Sequence, residues 1–182
     1  MNREWSVLTA IGTDRVGIVD DISGKVMENG CNIEESKMAV LGREFAIIML
    51  VSGTPEAVAS LAGRLLTPAA DLGMRIELKK TREPAEAEKG RPYLLETSSL
   101  DTPGIVHSVT ALLRKHGVNI EDLETETAAA PWTGAPLFRM RAHLIVPSSV
   151  SVTRLKEEFV RLQETQDLDI DLKPVFGPRG EP

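Results

Sequence analysis

Cysteine occurs once in the 182 residues, at Cys31. One thiol allows no disulfide within the chain and no cysteine-built zinc site. A helix–strand junction is its expected place, where a buried thiol is inert. Histidine occurs three times, at His107, His116 and His143. The first two lie nine residues apart, not at the i, i+4 spacing of a helical metal pair, so no metal is expected. Aromatic residues make up 4 % of the chain, which predicts a core built mainly of Val, Ile, Leu and Ala. No run approaches the roughly 20 apolar residues needed to cross a bilayer. The first five residues lack the apolar segment of a signal peptide. A soluble, cytoplasmic protein without membrane contact is the expectation.

A basic excess is lacking as well. Residues 1–82 carry 10 basic and 11 acidic side chains, and residues 83–182 carry 11 and 16, for a net charge of −6. Phosphate contacts supply most nucleic-acid affinity, so direct nucleic-acid binding is disfavoured. Neither a Gly-x-Ser-x-Gly elbow nor a P-loop nor a dinucleotide fingerprint occurs. The chain is read as a non-enzyme that needs no cofactor. The recurring acids Glu34-Glu35 and Glu121-Asp122 point to opposite faces if they lie on strands, which makes them solvated groups rather than a catalytic pair.

What the chain does contain is one stretch written twice. Asp14-Arg15-Val16-Gly17-Ile18-Val19 precedes a helical pattern and then Gly30-Cys31-Asn32-Ile33-Glu34. Asp101-Thr102-Pro103-Gly104-Ile105-Val106 precedes another, followed by Gly117-Val118-Asn119-Ile120-Glu121. The matching residues share a constant offset of 87. An internal repeat of this length implies two similar units: a first domain over 1–81, a linker over 82–91, a second domain over 92–176 and a tail over 177–182. The linker is charged and poor in apolar residues, as spacers are.

Periodicity fills in each unit. Strands are predicted over 5–11, 32–40, 45–52 and 74–80, with helices over 16–29 and from Pro55. The second unit repeats the order, with strands over 92–99, 119–127, 136–146 and 170–175 and helices over 103–116 and 149–164. Pro103 is expected at the first helical position. Gly30 and Gly117 read as left-handed C-caps. The order β-α-β-β-α-β predicts two ferredoxin-like α+β units, each an antiparallel sheet with both helices on one face. Residues 45–52 are apolar on both faces, so the open face of that sheet is expected to be covered by the other half or by a second chain. Arg139 and Arg141 share a strand face, as an anion-binding pair or, in the plainer reading, as surface salt-bridge partners. The second hairpin is longer, with Ala128 to Pro136 and Trp132 in place of a short turn, and such loops often carry function.

Asp-x-x-Gly-Ile-Val, a helix, then Gly-x-Asn-Ile on this frame resembles the ACT domain. Two in tandem with little else resemble the glycine cleavage system transcriptional repressor family. Val16 stands where the common proline is found, and Pro103 keeps it. The resemblance implies regulatory modules that bind an amino acid or another small ligand at domain interfaces and act on a protein partner such as a transcription regulator. A homodimer is expected.

The residues themselves support a ligand site and a plainer alternative. Gly17 and Gly104 stand where a loop becomes a helix, and the first helical N–H groups can cradle a carboxylate. Asp14 and Asp101 can pair with an ammonium. Asn32 and Asn119 offer both donor and acceptor. Arg15, Val16 and Ile18, with Thr102, Pro103 and Ile105, complete the two candidate ligand-binding loops. On the alternative, both aspartates are helix caps, the glycines permit tight helix–sheet packing, and the asparagines serve turns or ladders. Two functions follow: a sensor of a small amino acid such as glycine or serine, or a ligand-free interaction scaffold.

Overall fold

The computed structural model describes residues 3–66, 73–84, 90–130 and 134–175. It divides into two compact units, Met1–Ala85 and Glu86–Pro182. The first contains β1 (Glu4–Thr13), α1 (Ile18–Glu28), β2 (Asn32–Leu41), β3 (Glu44–Gly53), α2 (Pro55–Leu66) and β4 (Met74–Thr81). The second contains β5 (Gly90–Leu100), α3 (Ile105–Lys115), β6 (Asn119–Ala129), β7 (Pro136–Pro147), α4 (Val152–Gln166) and β8 (Asp169–Pro174). Strand orders are β2-β3-β1-β4 and β6-β7-β5-β8, and every pairing is antiparallel. These are two ferredoxin-like units, as the β-α-β-β-α-β pattern requires.

Alternation decides which residues enter each core. On β1, Ser6, Leu8 and Ala10 face inward, with Phe45, Ile47, Met49 and Val51 beside them on β3. Ile18, Ile22 and Val26 close the layer from α1, and Leu61 and Leu65 from α2. The second core repeats this plan with Ile105, Val109 and Leu113 on α3 and Leu155 and Phe159 on α4. The cores are built mainly of Val, Ile, Leu and Ala, as the scarcity of aromatics predicts, joined by Phe45, Phe138 and Phe159 and by Met49, Met74 and Met140.

The helix ends follow local rules. Gly30 N–H donates to the Met27 carbonyl at 2.9 Å and Cys31 N–H to that of Val26 at 3.1 Å. Gly117 and Val118 repeat this on Arg114 and Leu113, both at 3.0 Å. That pair of bonds is the Schellman motif, which needs the left-handed residue glycine supplies. Thr54 caps α2 by accepting from Ala57 N–H at 3.2 Å. Ser151 caps α4 by accepting from Arg154 N–H at 3.4 Å.

The outer sheet faces diverge. In the first unit, Ala46, Ile48 and Leu50 on β3 stand opposite Ile11, Thr9 and Val7 on β1, and Ile48 and Ile11 are 50 % and 48 % exposed. The matching positions on β7 are Arg139, Arg141 and His143. Arg141 reaches Glu96 at 3.0 Å, Lys173 bridges Glu96 and Asp171, and Arg139 approaches Glu126 at 3.4 Å. Arg141 first, then Lys173, holds the Glu96 carboxyl below the usual carboxylate range.

Among the described residues no helix is long and apolar enough to cross a membrane. Residues 131–133, with Trp132, and the tail over 177–182 lie outside the described residues. The linker expected over 82–91 contains the boundary between the units, although β5 already begins at Gly90.

Candidate functional site

The duplicated stretch forms the same junction in both units. A chain leaving β1 or β5 is first tied to the neighbouring hairpin: Asp14 N–H donates to the Arg43 carbonyl and Asp101 N–H to that of Pro136, each at 3.0 Å. It then turns through Gly17 (φ 86°, ψ 0°) or Gly104 (φ 102°, ψ −6°), and the helix begins one residue later. The first intrahelical bonds run from Asp21 N–H to the Gly17 carbonyl and from Ser108 N–H to the Gly104 carbonyl, both 2.9 Å. The three preceding amides of each helix therefore have no carbonyl one turn back.

This geometry corrects three expectations. Both helices open later than predicted, at Ile18 and Ile105, because a residue at positive φ cannot be part of a right-handed turn. Pro103 accordingly lies in the turn before Gly104 and not at the first helical position. No side chain caps either helix, so Asp14 and Asp101 are not caps. Finally, a Cβ built on Gly17 or Gly104 would meet nothing within 4 Å. Positive φ, not tight packing, demands glycine at both places, and the backbone there opens onto free space.

The side chains around the two junctions differ in charge. Residues 14–17 and 101–104 are exposed, whereas Ile18 and Ile105 are buried anchors that offer a ligand only their N–H. Val16 is fully exposed. In the first unit, Arg15 donates to Asp21, and Asp20 and Asp21 both occupy the first turn of α1. In the second, Thr102 replaces Arg15 and the first turn of α3 carries no acid. In the first turn of α1 an incoming carboxylate meets Asp20 and an Asp21 already paired with Arg15, whereas the first turn of α3 presents no acid.

Asn32 and Asn119 are placed elsewhere. Asn32 pairs with Ser52, which pairs with Trp5 at the start of β1, so it stands at the opposite end of the sheet from Asp14. Eight residues of strand separate those ends, roughly 26 Å. There Glu34 sits at a register shift between Ile33 and Glu35, a bulge that turns it over Ser52. Glu34 Oε1 accepts from Ser52 Oγ, from Asn32 Nδ2 at 2.8 Å and from Arg3 at 2.7 Å. The Ser52 hydroxyl first, then the Asn32 amide, with the Arg3 charge adding, holds Glu34 below the usual carboxylate range. The second unit keeps the bulge, between Ile120 and Asp122, but Asn119 faces Ile145 instead of a serine. Ser52, buried at the end of an apolar strand, was invisible to motif reading; the one signal was a hydroxyl ending the run over 45–51.

The remaining chemical groups are dispersed. His107 is exposed on α3, His116 Nε2 lies 3.2 Å from Glu158, and His143 lies 3.9 Å from Asp122. Among the described residues no three His, Cys, Asp or Glu side chains converge on a metal position. Burial pushes the Cys31 thiol up, and a Cβ on Gly53 would come within 3.0 Å of its sulfur. The thiol packs there as a small apolar group.

Comparison with known proteins adds lineage to this geometry. The ACT domain family model matches residues 4–79. The glycine cleavage system transcriptional repressor of Escherichia coli (strain K12) is 31 % identical over 161 residues, covering 88 % of this chain and 85 % of that protein. A UPF0237 protein of Methanopyrus kandleri is 38 % identical over 73 residues, 39 % of this chain and 81 % of that one. The crystal structure of an unknown protein from Galdieria sulphuraria superposes with a TM-score of 0.79 at 35 % identity, covering 96 % of this chain and 99 % of that one. Identity sustained through both copies of the repeat, on two ferredoxin-like units, means that this chain belongs to the tandem ACT-domain family of the glycine cleavage system transcriptional repressor.

Proposed function

We propose that the protein is a non-catalytic regulator that binds a small amino acid, glycine or serine, and passes its occupancy to a protein partner controlling transcription. The observation that carries this reading is the uncapped helix start after a left-handed glycine in open space, present in both units. The amides of Ile105, Val106 and His107 are offered to the ligand carboxylate and the Asp101 carboxylate to its ammonium, with Thr102 and Pro103 alongside. The second junction is the stronger of the two because no acid stands in the first turn of α3. Asn32 and Asn119, at the far ends of their own sheets, are not part of this contact set within their units. A signal requires that the ligand bind two states of the protein unequally. Titration calorimetry across the standard amino acids is expected to give saturable heat with glycine or serine. Absence of heat with all of them would end the sensor reading.

The second reading, an interaction scaffold, is favoured by the apolar outer face of the first sheet. We propose that this face, centred on Ile48 and Ile11, joins two copies of the chain. An exposed apolar patch rimmed by charge marks an interaction surface. Sedimentation velocity is expected to show a dimer for the natural chain and a monomer for Ile48→Lys. A monomeric natural chain at tens of micromolar would remove the proposal.

A further inference from the structure

The two sheets can be compared row by row where β1 and β5 end. In the first unit the last outer row reads Arg75, Ile11, Ala46, Ala39 across β4, β1, β3 and β2. In the second it reads Asp169, Ser98, Arg139, Glu126 across β8, β5, β7 and β6. A row that is apolar on β1, β3 and β2 has become charged and hydroxylated on β5, β7 and β6. The next residue inward differs as well. Gly12 lies so close to its neighbours that a Cβ would come within 2.8 Å of both the Gly73 carbonyl and Met74 Cγ. The corresponding residue of β5 is Ser99, whose Oγ is buried without a hydrogen-bond partner among the described residues. Beside Ser99 the second unit has an open pocket of about 350 Å³.

The turn above that cavity is also altered. Gly73 has φ 64°, and its counterpart Asp167 keeps φ 54°. Asp167 is the left-handed residue that ends α4, its N–H and that of Leu168 both donating to the Gln163 carbonyl, and it places a carboxylate at the rim where glycine would place none. Asp167, Asp169, Arg139, Ser99, Leu100 and Leu137 all line the cavity. Arg139 has one competing contact, Glu126 at 3.4 Å with both side chains mostly exposed, and such a pair is easily exchanged. Leu100 is 57 % exposed, an apolar surface beside charged groups.

We infer that the second unit carries an additional small-molecule site, at the β5–β8 end of its sheet, which takes a neutral α-amino acid. Arg139 holds the carboxylate, Asp167 and Asp169 hold the ammonium, and the ligand side chain lies along Leu100 and Leu137. One cation and two carboxylates around a single cavity suit a zwitterion better than an anion, which the acids would repel. The volume falls within the range of small-ligand pockets and equals roughly a dozen water volumes at ~30 Å³ each, enough for an amino acid of leucine size with ordered water. The inference rests on the amino-acid reading for its ligand class but not on the Asp101 junction.

The test is an amide NMR titration of the full chain with glycine and the neutral L-amino acids, each alone. Saturable shifts are expected at residues 98–100 and 167–169 with an affinity of their own. Asp167→Gly, which removes the disfavoured conformation, should melt no lower than the natural chain yet weaken those shifts at least about tenfold, as should Arg139→Gln. Shifts at residues 104–107 should be unchanged by either substitution. Unaltered affinity in both variants, or silence at 98–100 and 167–169 while 104–107 respond, would overturn this site and leave the junction reading standing. A response at 98–100 and 167–169 alone would support it and count against the junction. Silence at both places would overturn both.

Discussion

Phe45→Ala is expected to destabilise the first unit by about 3–5 kcal/mol, the usual cost of emptying a phenylalanine-sized space in a core. Phe45 has no exposed surface. It stands opposite Gly12 on β1 and Val40 on β2, so no large residue on the neighbouring central strand can move in to replace the ring. A unit of about 80 residues holds only about 4–12 kcal/mol in total, and the substitution removes a large part of that. Phe138, its counterpart, is 8 % exposed and faces Ser99, so less apolar surface is withdrawn from water there and Phe138→Ala should cost less. Urea denaturation followed by amide cross-peaks of each unit gives both numbers. A loss below about 1 kcal/mol for Phe45→Ala would contradict the packing, and loss of both units' cross-peaks in one transition would show that the second does not stand without the first.

Gly104→Ala is expected to abolish most of the ligand response at residues 105–107 while costing only about 1–2 kcal/mol of stability, the penalty of a left-handed L-residue. The space around Gly104 is open, so the stability loss comes from φ alone and not from a clash. Relief of that strain would rotate the peptide that aims the first helical amides, and the new methyl group would occupy the approach to them. Gly17→Ala provides the comparison. It carries the same conformational penalty, but the first turn of its helix holds Asp20 and the Arg15-paired Asp21, and Asp20 already disfavours a carboxylate. Thermal melts should therefore fall alike in the two variants, whereas glycine or serine binding should fall at least about tenfold in Gly104→Ala alone. Equal affinity in Gly104→Ala and the natural chain would remove the backbone amides from the site.

The contrast between these two glycines shows where sequence reading stops. The constant offset of 87 and the Asp-x-x-Gly-Ile-Val pattern locate both junctions, and Gly30 and Gly117 announce their helix ends. Aspartate before a helix is ordinarily its cap, and only the backbone dihedrals reveal that glycine takes that place here. The pocket under Asp167 was illegible for another reason. Ser98, Arg139 and Asp169 are scattered over 72 positions of the chain, and cross-strand register alone puts them in one row.

By itself, the sequence determined the local order. Apolar periodicity set strands and helices and glycine placed the turns, because each depends on residues within about one helical turn or strand of one another, and the constant offset of 87 set the number of units, because a repeat is read by comparing the chain with itself. The tertiary structure decided which residues meet. Asn32 lies fewer than 20 positions from Asp14 yet at the other end of the sheet, beside Ser52 and Glu34, since α1 and antiparallel pairing carry the chain back along the sheet. The same alternation leaves Ile48 on an apolar face and Arg141 on an ionic one. Those differences depend on pairings between residues distant in sequence, which no local pattern encodes.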